Sequence, residues 1–167
     1  MNAPDTPSPW WVLKSLPRCE KKALQALSSR LPEVFLPCRP SRREYASKSV
    51  VFQVPLFPGY LFARCAPEER SNLFRLAPLA GTLSIPDQAG FCRELKSLKR
   101  LLGEAEEVNM CPFISTGSRV QITSGRFRGI EGIVQRRRGK FRLVVSIEIL
   151  RQAVEVECAA DLVALAA

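Results

Sequence analysis

The sequence predicts an α+β chain in two parts: an N-terminal antiparallel sheet flanked by helices, joined by a linker to a small all-β domain. Three observations carry this. Val50 to Cys65 reads VVFQVPLFPGYLFARC, two β-rich runs around a bend punctuated by Pro55 and Pro58. Apolar residues recur at helical spacing on either side of it, in runs ended by Pro32 and Gly103. After Gly103 the chain turns acidic and irregular, and from Gly117 it becomes short alternating runs broken by glycines.

Met1 to Pro9 is polar and proline-rich, without the apolar centre of a signal peptide, and is expected to be a disordered tail. Trp10-Trp11-Val12-Leu13 has the content of a first strand. Pro17 suits the first turn of a helix in which Cys19, Ala23, Leu27 and Leu31 share a face until Pro32. Glu33 to Pro37 follows as a short strand. CRPSRREYASKS has little to bury and reads as an exposed hairpin or loop, carrying Arg39, Arg42, Arg43 and Lys48 into a strand at Val50 to Val54. As a bare charge run it is also consistent with a solvated loop.

Gly59 opens the next strand, where a close backbone approach is expected. From Tyr60 the side chains alternate: Tyr60, Phe62 and Arg64 on one face, Leu61, Ala63 and Cys65 on the other. The small apolar face suits burial under helices. The aromatic face is covered either by another layer or by a partner. Pro67-Glu68-Glu69 starts a helix with Leu73, Phe74 and Ala77 on its apolar side, and Pro78 stops it. Leu79 to Ile85 is a strand. A last helix begins near Asp87, with Phe91, Leu95, Leu98 and Leu102 at i, i+4, i+7 and i+11. Residues 10–103 thus form one domain and residues 104–116 a linker. Residues 117–165 hold about five strands, the number of a small SH3-like barrel.

The 167 residues carry a net charge of +9, which favours a polyanionic neighbour. The excess is uneven. Residues 1–103 hold 16 Lys and Arg against 8 Asp and Glu, and residues 104–167 hold 9 against 8. Histidine is absent, so a His-based triad, metal site or general base is excluded. The six cysteines form no C-x-x-C pair and read as free thiols in a reducing cytoplasm. With no histidine to activate them, and no acidic motif, an enzyme reading is poor. No cofactor or metal is called for, and no run approaches transmembrane length.

Two stretches carry a family resemblance. LFPGYLF, downstream of WWVLK and followed by LFRLAP with Arg75 and Pro78, resembles the N-terminal domain of NusG-type transcription factors. GSRVQITSGRFRGIEGIV is similar to a KOW motif in Val120, Ile122, Gly125, Phe127, Gly129, Gly132 and Val134. The order of the two, an α+β domain first and a KOW barrel last, is that of the NusG family. The compact N-terminal domain and the basic loop resemble specialised relatives of the RfaH and UpxY kind, and the chain also departs from the family pattern. Ala80 and Leu83 stand where the family has a Val-aromatic pair, and Leu150-Arg151-Gln152 replaces a Gly-Arg near the last hairpin.

The resemblance implies a transcription elongation or antitermination factor, monomeric and cytoplasmic, that docks on the clamp helices of the largest RNA polymerase subunit and suppresses pausing. An exposed apolar patch of Val12, Tyr60, Phe62, Phe91 and Leu95 is expected to meet those helices. Arg39, Arg42, Arg43, Lys48 and Arg75 are expected to face nucleic acid, with the non-template DNA strand or upstream duplex as target. Ile149, Leu150 and Arg151 are the expected edge for a small-subunit ribosomal protein or a termination factor. The alternating Phe141 to Ile147 run and the motif glycines favour a barrel over a helical hairpin in this part. The alternative is a KOW-type RNA-binding or ribosome-associated protein.

Overall fold

The computed structural model describes residues 7–114, 119–158 and 163–165, the last without side-chain detail. The chain divides into two compact units, Met1–Gln88 and Ala89–Ala167.

In the first unit, β1 (Trp10–Ser15) lies between β5 (Tyr60–Arg64) and β6 (Leu79–Ser84), and β2 (Glu33–Phe35) adds to the far side of β5. The pairings are antiparallel, with Leu13 opposite Leu61 and Thr82. Helix α1 (Glu20–Ser28) and the short α2 (Leu73–Leu76), which follows a 3-10 turn at Pro67–Asn72, cover one sheet face. There Trp11, Leu13, Leu61 and Ala63 pack with Ala23, Leu27 and Leu73. Each large side chain fully buried in this way contributes about 1.5–3 kcal/mol.

Strands β3 (Cys38–Tyr45) and β4 (Lys48–Pro55) pair only with each other, as a two-stranded hairpin. The hairpin was one of two options for CRPSRREYASKS; it forms because the β-branched run Val50, Val51 and Val54 offers a full ladder to the preceding segment. Gly59 is needed for a different reason from the one expected. Its φ is +86°, and a Cβ there would meet nothing within 4 Å. Its conformation, rather than a close approach, demands glycine. Its N–H donates to Glu20 Oε1 at 2.9 Å, and its carbonyl accepts from the Ser15 N–H at 2.8 Å. The bend is thereby tied to α1 and β1.

Helix α3 (Gln88–Glu104) buries Phe91, Leu95, Leu98 and Leu101. Leu101 takes the place expected for Leu102, because 3.6 residues per turn carry the buried stripe round to it. From Ala89 onward this helix belongs to the second unit, where the expected boundary lay after Gly103. The Glu131 N–H donates to Ser97 Oγ at 3.1 Å, and the Glu148 N–H lies 3.3 Å from both carboxylate oxygens of Glu94.

The second unit also holds a six-stranded antiparallel sheet in the order β12-β8-β9-β10-β11-β7. Its strands are β7 (Asn109–Cys111), β8 (Arg119–Ile122), β9 (Glu131–Arg137), β10 (Lys140–Ile147), β11 (Gln152–Cys158) and β12 (Val163–Leu165). The expected linker thus contributes a strand: β7 pairs with β11, Met110 opposite Val154. Short linker-like composition hid it, because three residues carry no readable alternation. The edge strands β7 and β12 do not pair, so among the described residues the sheet is open rather than a closed barrel. Gly132 is where close approach is required: a Cβ there would fall on the Val144 carbonyl oxygen. The tail at residues 1–6, the start of the motif at residues 117–118 and the stretch 159–162 lie outside the described residues. Among the described residues no helix is long and apolar enough to cross a membrane.

Candidate functional site

The first sheet lines up four apolar side chains in one row. Phe35 stands opposite Phe62, Phe62 opposite Val12, and Val12 opposite Leu83, across β2, β5, β1 and β6. Directly paired residues project to the same face. This is the face away from α1 and α2, since the alternate residues Trp11, Leu13, Leu61 and Ala63 pack under those helices. The Phe35 and Phe62 rings lie 6.5 Å apart between centroids, tilted by 31°. Beside this row runs a second, Glu33, Arg64 and Trp10. The Arg64 guanidinium sits 5.0 Å from the centre of the Trp10 ring, and its Nε lies 3.7 Å from Glu33.

The row corrects the expected exposed patch. Val12 and Phe62 are fully buried, and Phe91 and Leu95 are buried on the apolar stripe of α3. Removing such large apolar side chains from water is the dominant gain in folding. Tyr60, opposite Lys14, is half-buried. The exposed member of the row is Leu83, with 45% of its surface in solvent. Sequence reasoning passed over it, although Leu83 stood out as a departure from the family pattern. Its position on the face became visible only through its register with Val12.

The predicted nucleic-acid residues divide three ways. In the β3–β4 register Arg39 pairs with Val54, Ser41 with Phe52, Arg43 with Val50 and Tyr45 with Lys48. Arg39, Arg43 and Lys48 therefore share one hairpin face with Tyr45 and Phe52. Arg42 points to the other face, opposite Val51 and next to Glu44 in the same alternation. Arg75 belongs to neither face; it lies exposed on α2 between exposed Phe74 and Leu76. The Arg43 guanidinium lies 5.6 Å from the centre of the Phe52 ring. Among the described residues no carboxylate lies within ion-pair distance of Arg39, Arg43 or Lys48.

The cations of the second unit are differently placed. Arg142 and Arg137 both reach Glu155, at 3.3 and 3.7 Å, and Lys140 reaches Glu157 at 3.0 Å. Glu155 is buried, so its charge is held by these two guanidiniums. The Arg136 guanidinium lies over Phe141 at 5.8 Å. Ile149 and Leu150 are half-buried in a 3-10 turn between β10 and β11. Arg151 follows in the left-handed region at φ 53°, with its guanidinium 4.4 Å from the Phe113 ring centre.

All six cysteines are free thiols. Burial pushes the Cys38, Cys65 and Cys158 thiols up, and burial together with the Glu155 charge pushes Cys111 up to about 11. These four are protonated and poorly nucleophilic at neutral pH. Among the described residues no group of three or more Cys, Asp or Glu is placed to hold a metal ion.

No curated protein matches the chain. A family model does, over residues 8–108, the span from the residues just before β1 to the end of α3 and beyond. That model is described as the transcription termination factor NusG, and on this match the chain belongs to the NusG family, non-enzymatic transcription factors that bind RNA polymerase.

Proposed function

We propose that the chain is a transcription elongation or antitermination factor that docks on the clamp helices of the largest RNA polymerase subunit through the accessible ends of this row, Leu83 and Phe35, over the buried Val12 and Phe62. The carrying observation is that row, an apolar ladder across all four strands of the first sheet, with exposed Leu83 at one edge and half-buried Phe35 at the other. Tyr60 on the same face extends it. Val12 and Phe62 set the position of the anchors, while Phe91 and Leu95 hold α3. A helix laid against such a surface is recognised through a few large side chains. Binding one polymerase conformation better than another shifts its equilibrium toward elongation without any catalysis by this chain.

In this reading the second unit is a KOW-type domain that recruits a small-subunit ribosomal protein or a termination factor at Ile149, Leu150 and Arg151. The compact N-terminal domain and the basic loop with Arg39, Arg42, Arg43 and Lys48 favour a specialised relative of the RfaH and UpxY kind. The alternative, an RNA-binding or ribosome-associated module, is weakened by the second unit's own ion pairs. Arg137, Arg142 and Lys140 are already matched by Glu155 and Glu157.

The test sets purified core RNA polymerase against ribosomes and free structured RNA, each titrated with the full chain. Polymerase is expected to bind most tightly, and Leu83→Glu and Tyr60→Ala are each expected to weaken it about tenfold or more while leaving circular dichroism unchanged. Equal polymerase affinity of both variants would remove the row from the interface. Tighter binding to ribosomes or RNA would favour the alternative.

A further inference from the structure

We infer that β7, with Phe113 behind it, is an exchangeable strap on the outer edge of β11. It holds the edge to which an extended segment of a partner protein adds, and docking displaces it. The inference rests on the proposed partner edge at Ile149, Leu150 and Arg151, and deepens it by naming what covers that edge and the kind of segment that replaces the cover.

The two sides of β11 are held unequally. On one side β10 pairs along the whole strand, from Phe141 opposite Cys158 to Ile147 opposite Gln152, and buries Leu143, Val145 and Ile147. On the other side β7 pairs only from Cys111 opposite Ala153 to Asn109 opposite Glu155. None of its three side chains is buried: Asn109 and Cys111 are half-buried and Met110 is 41% exposed. The Asn109 amide turns to its own lead-in, donating from Nδ2 to Glu107 Oε1 at 3.4 Å. A strand with so little apolar burial opens more readily than the sheet it borders. Val156, Glu157 and Cys158 continue β11 past the end of β7, and among the described residues no strand pairs with them on that side.

Phe113 ties the strap to the partner edge. The register that sets Cys111 opposite Ala153 carries Phe113 to Arg151, and the Arg151 guanidinium lies 4.4 Å from the Phe113 ring centre. Arg151 is exposed, so this stack is weak and open to exchange. Ile149 and Leu150 lie half-buried in the turn just before it. What the strap supplies defines what replaces it: a backbone ladder on β11, an apolar side chain opposite Val154 where Met110 stands, and an aromatic ring on Arg151. Strand addition takes its affinity from the main chain and its selectivity from alternate side chains. A partner segment longer than β7 also pairs with Val156 to Cys158, and so outcompetes it. Only the released fraction binds, so loosening the strap raises the apparent affinity and tightening it lowers the affinity.

Two measurements on the full chain test this. Amide exchange followed by NMR is expected to show Asn109, Met110 and Cys111 exchanging about tenfold or more faster than Leu143 and Val145 of β10. Binding is then titrated against small ribosomal subunits and against a purified transcription termination factor. Phe113→Ala, which loosens the strap, is expected to bind the recognised probe about threefold or more tightly than wild type. The double variant Asn109→Thr, Met110→Ile, which favours the strand, is expected to bind about threefold or more weakly. Leu150→Ala is expected to lose about tenfold through the partner edge itself. Polymerase affinity is expected to stay the same in all three. Slow exchange in β7, or strap variants that bind like wild type while Leu150→Ala loses affinity, overturns the inference and leaves the partner edge standing. Indifference to Leu150→Ala, or no binding of either probe by wild type and Phe113→Ala alike, removes the partner edge, and this inference falls with it.

Discussion

The side-chain amide of Gln88 closes a two-way hydrogen bond on the backbone of Trp10, 78 residues earlier. The Trp10 N–H donates to Gln88 Oε1 at 2.8 Å, and Gln88 Nε2 donates to the Trp10 carbonyl at 2.9 Å. The same Nε2 donates to the Ile85 carbonyl at 3.1 Å. One side chain thus does for the first residue of β1 what a neighbouring strand does for the next. On the β6 side the strand pairing begins only at Trp11, opposite Ser84.

Gln88→Ala is therefore expected to remove both of these hydrogen bonds from the backbone of a buried tryptophan. The cost of such a loss is about 1–3 kcal/mol. Gln88→Glu is expected to cost at least as much, because a carboxylate cannot donate to the Trp10 and Ile85 carbonyls. Urea unfolding followed by tryptophan fluorescence measures both. A change below about 0.5 kcal/mol for both variants would show that water replaces the amide.

Two glycines are expected to fail for different reasons. Gly59→Ala meets open space but forces a side chain into a φ of +86°, a penalty of about 1–2 kcal/mol. Gly132→Ala keeps an ordinary φ but drives its Cβ onto the Val144 carbonyl, on backbone that cannot rotate away. Overpacking of this kind costs about 1–3 kcal/mol and sometimes more. Gly59→Asn, which tolerates the left-handed region, is expected to recover part of the first loss, whereas no residue with a Cβ recovers the second. Thermal unfolding of the three variants tests the contrast; equal behaviour of Gly59→Ala and Gly59→Asn would contradict it.

Glu155 and Cys111 make a linked pair of predictions. Glu155→Ala removes the shared partner of Arg142 and Arg137, and because both guanidiniums are partly in solvent the loss is expected to cost about 1 kcal/mol. The Cys111 thiol, raised from 9.0 to about 11 by burial and then by Glu155, holds its proton in the folded chain after the unfolded chain has lost it. Its contribution is thus fully present below about pH 9 and is lost as pH rises through about 11. Under reductant, wild type should lose stability across that window relative to Cys111→Ala, which has no thiol to ionise. Glu155→Gln should make the loss smaller and end it at a lower pH, because it brings the folded thiol down while the onset stays with the unfolded thiol. Parallel pH curves for wild type and Cys111→Ala would refute the assignment.

Most of the strands, the helices and their order were legible in the sequence because each rests on local pattern. Period-2 alternation in Tyr60 to Cys65, the helical stripe of Phe91, Leu95 and Leu98, and proline and glycine stops all act within a few residues. The β-rich character of the C-terminal part was legible for the same reason, in the alternation of Phe141 to Ile147 and in glycines that disfavour helix. Even the split of Arg42 from Arg39 and Arg43 was present as parity, once the hairpin was known to be a regular ladder.

What the tertiary structure alone decided was register, pairing and exposure. Alternation puts Val12, Phe62 and Leu83 on definite faces of their own strands, but only the pairing makes those faces one row, and only burial separates the exposed Leu83 from its covered neighbours. The strand at Asn109–Cys111 is too short to announce itself and exists because β11 offers it a ladder. The charge of the tip at Arg137 to Arg142 looks free in the sequence and is matched by Glu155 and Glu157, thirteen to eighteen positions away along the chain. Local chemistry sets which way a backbone segment prefers to run; contacts distant in sequence set what its side chains finally touch.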